Sequence, residues 1–326
     1  MSNPIPVVIC DDSNLARKQM AKALSHWNVD ISYAEHGLTA LEAIRIGKGD
    51  VLFLDLNMPI MDGYQVLERI RAEDLPTMVI VVSGDIQPEA RRQVLAMGAL
   101  DFIQKPFSEE TVSEVLRRYG LLSELQDESD ELPPEDTAVI LPDYYQEIAN
   151  VAMGRAGDRL ARFLDAFVHL PVPVVASVTR SELEQQLKIS ADQGKRVVSQ
   201  GFVGAGIAGE AMISLPPESF ESVAELLKLH YEATTEFENE MLMDLANILI
   251  GAFLQSFARQ LDIEFSCGTP VLLPAMTSLP SAGESWKETL SITIEYGLNE
   301  QRNSCELMLV FSEESLEPLR KLSKYF

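Results

Sequence analysis

The chain has 326 residues, 46% hydrophobic and 23% charged, which suits a soluble protein of two or three domains. A formal charge of −24 argues against nucleic acid or anionic membrane as the main partner and favours basic surfaces or cations. Three cysteines (Cys10, Cys267, Cys305) without CxxC spacing read as reduced thiols in a cytoplasmic protein. No signal peptide and no apolar run of membrane-spanning length is expected, since Asp244 and Asn247 interrupt the most apolar stretch at 241–254.

Residues 1–120 alternate short β-branched runs with helical periods. PVVIC (6–10), DISYA (30–34), VLFLDL (51–56), TMVIVVS (77–83) and DFIQK (101–105) read as strands, each followed by a helical segment. Five such units imply an α/β domain with a doubly wound five-stranded parallel sheet. In that architecture ligands collect at the carboxyl ends of the strands. Those ends carry Asp11 and Asp12, Asp55, Ser83 and Lys105. Clustered carboxylates repel unless a hard cation joins them, and two carboxylates, a backbone carbonyl at Asn57 and waters suit Mg²⁺. Lys105 and the metal would screen an incoming phosphoryl group, Asp55 would act as nucleophile, and Ser83 would bond a phosphoryl oxygen. Taken singly, each has an ordinary reading: Asp12 as a helix cap, Ser83 as a turn residue, Phe102 as core packing.

As a set, DD after the first strand, DLNMPIMDG around Asp55, VSG at Ser83 and KPF at Lys105 resemble the receiver domain of response regulators, as in CheY-like proteins. The resemblance implies a flavodoxin-like fold and phosphorylation of Asp55 by a histidine kinase. It also implies Mg²⁺ held through Asp12, Asp55 and the Asn57 carbonyl with help from Asp11, and switch roles for Ser83 and Phe102.

Residues 121–138 hold seven acids, no base and a Pro-Pro pair, and read as a solvated acidic linker. Beyond it, GEAMISLPPESFESVAELLK (209–228) resembles CELMLVFSEESLEPLRKLSK (305–324) at an offset of 96. A second feature repeats at 97: acid-x3-acid-x2-Asn-x22-Pro, as Asp143, Glu147, Asn150, Pro173 and as Glu240, Asp244, Asn247, Pro270. Two repeated features imply a duplicated, pseudo-symmetric α+β domain over 139–326, with halves near 139–230 and 235–326.

On a helix, positions 0, +4 and +7 fall within an arc of roughly 60°, so each triad forms one stripe. The ordinary reading is the solvated face of an amphipathic helix. Asparagine fits that reading poorly, being a mediocre helix-interior residue placed twice at the same phase. A carboxylate can grip a lysine of another protein, and a carboxamide can both donate to and accept from a water. Together they would orient water for in-line attack on phosphorus.

The first copy resembles the motif of the CheC/CheX/FliY chemotaxis phosphatases throughout, whereas the second has Glu240 and Asp244 where Asp/Ser and Glu are expected. The resemblance implies that Glu147 binds a CheY-like regulator's lysine while Asn150 orients water against its phosphoaspartate, in trans or in cis, with a CheD-like activator as a further partner. The pair Asp244 and Asn247 ranks second, because aspartate is one methylene shorter. The whole hydrolysis reading is expected to depend on Glu147 and Asn150 facing outward together, where they can enter another molecule's acyl-phosphate pocket. The alternative is a non-catalytic module, controlled by phosphorylation, that docks on flagellar switch or signalling proteins.

Overall fold

A computed structural model of the chain describes residues 4–119, 121, 141–232, 234–273, 287–298 and 303–323. The chain divides into two compact units, Met1–Val139 and Ile140–Phe326. Apart from Leu121, the acidic segment 121–138 lies outside the described residues.

The N-terminal unit alternates β1 (Ile5–Cys10), α1 (Asn14–Ala23), β2 (Val29–Ala34), α2 (Gly37–Arg45), β3 (Val51–Leu54), α3 (Gly63–Glu73), β4 (Met78–Ser83), α4 (Pro88–Met97), β5 (Asp101–Gln104) and α5 (Glu109–Arg118). The strands pair in parallel in the order β2-β1-β3-β4-β5. Alternate residues feed two cores. Val7, Ile9, Phe53, Ile80 and Val82 pack with Met20, Val112 and Leu116 on the α1/α5 side. Val8, Leu52, Leu54, Val79 and Val81 pack with Leu41, Val66 and Val94 on the other. Burial on both faces explains why the inner strands β1, β3 and β4 are nearly unbroken apolar runs. The fold is the expected flavodoxin-like α/β sandwich. Its strand order reverses at β1 and β3, so their carboxyl ends open a crevice. Asp62 caps α3 through a capping box with Gln65. The next residue must be glycine, because a Cβ at Gly63 would strike the Asp55 carbonyl oxygen.

The C-terminal unit is α+β. Its first half runs α6 (Leu141–Leu164), β6 (Val174–Val178), α7 (Arg180–Asp192), β7 (Arg196–Gly204), β8 (Ile207–Leu215) and α8 (Pro217–Leu226). Its second runs α9 (Thr235–Gln260), β9 (Ser266–Cys267), β10 (Val271–Leu273), β11 (Thr289–Gly297), β12 (Ser304–Phe311), a 3-10 turn (Glu313–Ser315) and α10 (Leu316–Leu322). Among the described residues the sheet order is β10-β7-β8-β12-β11-β6, with β9 also on β7.

That order is a palindrome of the two halves. β8 and β12 meet antiparallel at the centre, and Met212 faces Met308 in register. These two residues are 96 positions apart (308 − 212), the repeat offset, so a residue lies opposite its own copy. Only a local two-fold axis between the strands produces that. The edge strands are exchanged: β6 pairs with β11, and β10 with β7. Each begins directly after the proline of the repeated motif, Pro173 or Pro270, and a proline there blocks the ladder from extending further back.

α6 and α9 pack against one another. Tyr145 stacks on Phe257 with centroids 5.9 Å apart, Gln260 Nε2 donates to the Ile148 carbonyl at 2.9 Å, and Arg159 donates to Gln255 Oε1 at 2.9 Å. Contrary to the sequence-based expectation, α9 is long and apolar enough to cross a membrane, with a window of mean hydropathy 1.5. That window is 67% buried within the protein, because its leucines and phenylalanines pack into the core. Asp244 and Asn247 do not interrupt this face, since they stand on the opposite one.

Candidate functional site

The N-terminal site assembles at the carboxyl ends of β1, β3, β4 and β5. Asp11, Asp12 and Asp55 each bring a carboxylate oxygen within 4.8 Å of the others. Lys105 is 1% exposed and reaches Asp11 Oδ2 at 2.7 Å and Asp55 Oδ1 at 3.2 Å. Backbone donors hold the other oxygens of Asp11 and Asp55: Ser13 N–H to Asp11 Oδ1 at 2.8 Å and Asn57 N–H to Asp55 Oδ2 at 3.0 Å. Three carboxylates against one ammonium leave a local charge of about −2, which a divalent cation would balance with hard oxygen donors.

Ser83 is buried, and its hydroxyl oxygen accepts the Asp85 N–H at 3.1 Å. Its hydroxyl hydrogen is not committed by that bond. Phe102 is half-buried and packs against the core on the α2–α4 side. Burial raises the Cys10 thiol well above its ordinary pKa, and the Asp11 and Asp55 charges raise it further, so this cysteine stays neutral.

Three residues escaped the sequence reading. Arg17, buried on α1, donates to the Asp11 carbonyl at 2.6 Å and the Asp12 carbonyl at 3.3 Å, and pairs with Glu35 at 3.2 Å. It pins the loop that carries both aspartates. In NLARKQM it looks like one more exposed cation, and only its place one turn after Ser13, the helix cap that follows the two aspartates, hints otherwise. Asp85 and Gln87 are buried after β4, where the Gln87 N–H donates to Asp85 Oδ1 at 2.9 Å. No spacing in the sequence marks them.

The two polar stripes of the C-terminal unit differ. On α9, Glu240, Asp244 and Asn247 are exposed, as are Gly251 and Gln255 one and two turns on. On α6, Glu147 is 8% exposed and Asn150 4%, so the expectation that this pair faces outward is not met. Tyr144, Tyr145, Ile148, Ala149, Val151, Ala152 and Met153 are buried as well, and Asp143 and Gln146 beside the pair are half-buried. The ranking of the two stripes by accessibility is therefore the reverse of their ranking by motif. Neither Nδ2 nor Oδ1 of Asn150 has a hydrogen-bond partner among the described residues. Such a group costs about 1–3 kcal/mol.

Residues 7–117 match the response regulator receiver domain family. The N-terminal unit is a receiver domain. Over 112 residues it is 41% identical to the probable transcriptional regulatory protein NarL of Mycobacterium tuberculosis, covering 32% of this chain and 51% of that protein. A protein-glutamate methylesterase/protein-glutamine glutaminase of Rhodospirillum rubrum is 40% identical over 103 residues, covering 31% of this chain and 28% of that protein. The chain thus spans about half the length of the first relative and under a third of the second. The crystal structure of Thermotoga maritima FliY is 21% identical, covering 57% of this chain and 95% of that one, with a TM-score of 0.45.

Proposed function

We propose that the chain is a two-component signalling protein whose receiver takes a phosphoryl group on Asp55 from a histidine kinase, and whose C-terminal unit hydrolyses aspartyl phosphate on a CheY-like receiver. In the receiver, Asp12, Asp55 and the Asn57 carbonyl would hold Mg²⁺ with Asp11 in support, and when bound it would supply positive charge against the phosphoryl oxygens. Lys105 supplies a second positive charge beside Asp55, and Ser83 offers its hydroxyl hydrogen to a phosphoryl oxygen. Phe102 takes the aromatic switch position.

The observation that carries the phosphatase reading is the solvent-open carboxylate and carboxamide on α9, Asp244 and Asn247, repeated in sequence by Glu147 and Asn150. A separate receiver can reach this stripe. Asp244 accepts an N–H from the incoming lysine, as Glu147 would on α6. Asn247 accepts from and donates to one water, fixing it in line with the Asp–O–P bond, as Asn150 would on α6. The water oxygen bonds to phosphorus, the acyl oxygen leaves as carboxylate, and the water protons pass to phosphate and solvent. Glu147 and Asn150 are closed in this structure, so they take no substrate in this arrangement. The partnerless carboxamide of Asn150 supports a use other than structure, since a buried asparagine kept for stability is hydrogen-bonded.

A CheY protein phosphorylated with acetyl phosphate, mixed with the full chain, tests the reading. Phosphate release is expected to accelerate with the wild type and to lose most of that acceleration in Asn247→Ala. Equal release by the wild type and the Asn150→Ala/Asn247→Ala double variant would sink it. The burial of Glu147 and Asn150 favours a second reading, a docking module without catalysis. Undiminished capture of the phosphorylated regulator by the double variant, with no phosphate released by either protein, would establish that instead.

A further inference from the structure

The α9 stripe holds a glycine that no neighbour among the described residues requires. Gly251 lies deep within the 26-residue helix, where glycine is less favourable than alanine because its backbone loses more freedom. Its φ lies outside the left-handed region, and a Cβ built there would meet no atom of the described residues within 4 Å beyond the helix's own backbone. The contrast with Gly63, whose Cβ would strike the Asp55 carbonyl, and with Gly157, whose Cβ would strike the Leu170 side chain, is direct. Those glycines are explained by their neighbours, and Gly251 is not.

Its place explains it. Gly251 is one turn beyond Asn247 on the exposed stripe. Helical side chains lean toward the N-terminus and cover the turn before their own Cα. A side chain at 251 would therefore crowd the turn that carries Asn247. The other half of the repeat places Gly154 97 positions earlier, one turn beyond Asn150. The water that Asn247 orients must touch both the carboxamide and a phosphorus recessed at the strand ends of another receiver. The helix must then approach that receiver's loops at backbone distance.

We propose that Gly251 is a specificity-determining position: its missing side chain leaves the turn that carries Asn247 uncrowded and admits the rim of a phosphorylated receiver onto α9. This rests on the phosphatase reading above. The test compares the full-length wild type, Gly251→Ala, Gly251→Leu and Asn247→Ala, each with CheY phosphorylated by acetyl phosphate, alongside thermal unfolding. Gly251→Ala is expected to raise the Tm of the C-terminal transition by about 2–4 °C while lowering kcat/KM by roughly 3–10-fold, and Gly251→Leu to lower kcat/KM by roughly 10–100-fold. Activity lost while stability rises cannot come from unfolding, and the alanine variant carries the test if the leucine variant folds poorly. If Asn247→Ala is inactive while both Gly251 variants match the wild type, the proposal is overturned and the phosphatase reading stands. If the wild type itself releases no phosphate, both are overturned.

Discussion

The receiver cluster and the helix stripes are both built on carboxylates, but they store charge differently. In the receiver, Asp11 and Asp55 are buried against Lys105 and backbone N–H groups, so the site is assembled and electrostatically loaded before anything arrives. On α9, Asp244 and Asn247 stand in solvent, and the charge they would meet comes with a partner. On α6 the same motif is closed. A buried cluster has fixed geometry and answers strongly to the loss of one member. An exposed stripe tolerates substitution in stability and expresses its role only in encounter.

That contrast can be broken in several ways. The largest effect is expected from Asp55→Asn, which removes the phosphoacceptor. Labelling by acetyl phosphate should fall to background, while Asn150→Ala and Asn247→Ala should label like the wild type; residual labelling of Asp55→Asn would place the acceptor elsewhere. Next, Lys105→Met leaves two buried carboxylates without their ammonium and should destabilise the receiver by about 3–5 kcal/mol in urea unfolding. Millimolar Mg²⁺ should recover part of this loss, and a variant insensitive to Mg²⁺ would count against the metal site.

A smaller effect is expected at the open stripe. Asn247→Ala should lower phosphate release from a separate phosphorylated receiver by about 10²-fold, near 2.7 kcal/mol in barrier, with little change in stability. Asn150→Ala should change that trans activity by less than about 3-fold, because closed groups meet no substrate. The reverse ranking would show that α6 opens during turnover. The smallest effect concerns the buried carboxamide. Asn150→Leu removes two partnerless polar atoms at similar volume and should stabilise the C-terminal unit by about 1–3 kcal/mol, whereas Asn247→Leu should be near neutral. Destabilisation by Asn150→Leu would mean that this carboxamide is bonded in solution.

Much of this was legible in the residues. Strand ends were readable because apolar runs stop where charge begins, which put Asp11, Asp12, Asp55, Ser83 and Lys105 on one edge before any coordinates. The repeat was readable because acid, asparagine and proline recur at 97 and a second segment at 96, and the Met212–Met308 pairing sets the 96-residue repeat about a local two-fold axis. Arg17 was not readable, since a basic residue on an amphipathic helix is ordinarily solvated and only the fold of the β1–α1 loop turns it inward. The exchange of β6 and β10 was equally hidden, because no local pattern says which half an edge strand will join.

By itself the sequence determined which groups share a helix face or a strand end, because periodicity of 3.6 or 2 is a property of the local backbone. Only the tertiary structure decided which of two equal stripes meets water. Accessibility depends on what packs from positions far along the chain, so α6 and α9 carry one motif and differ in whether a partner can touch it.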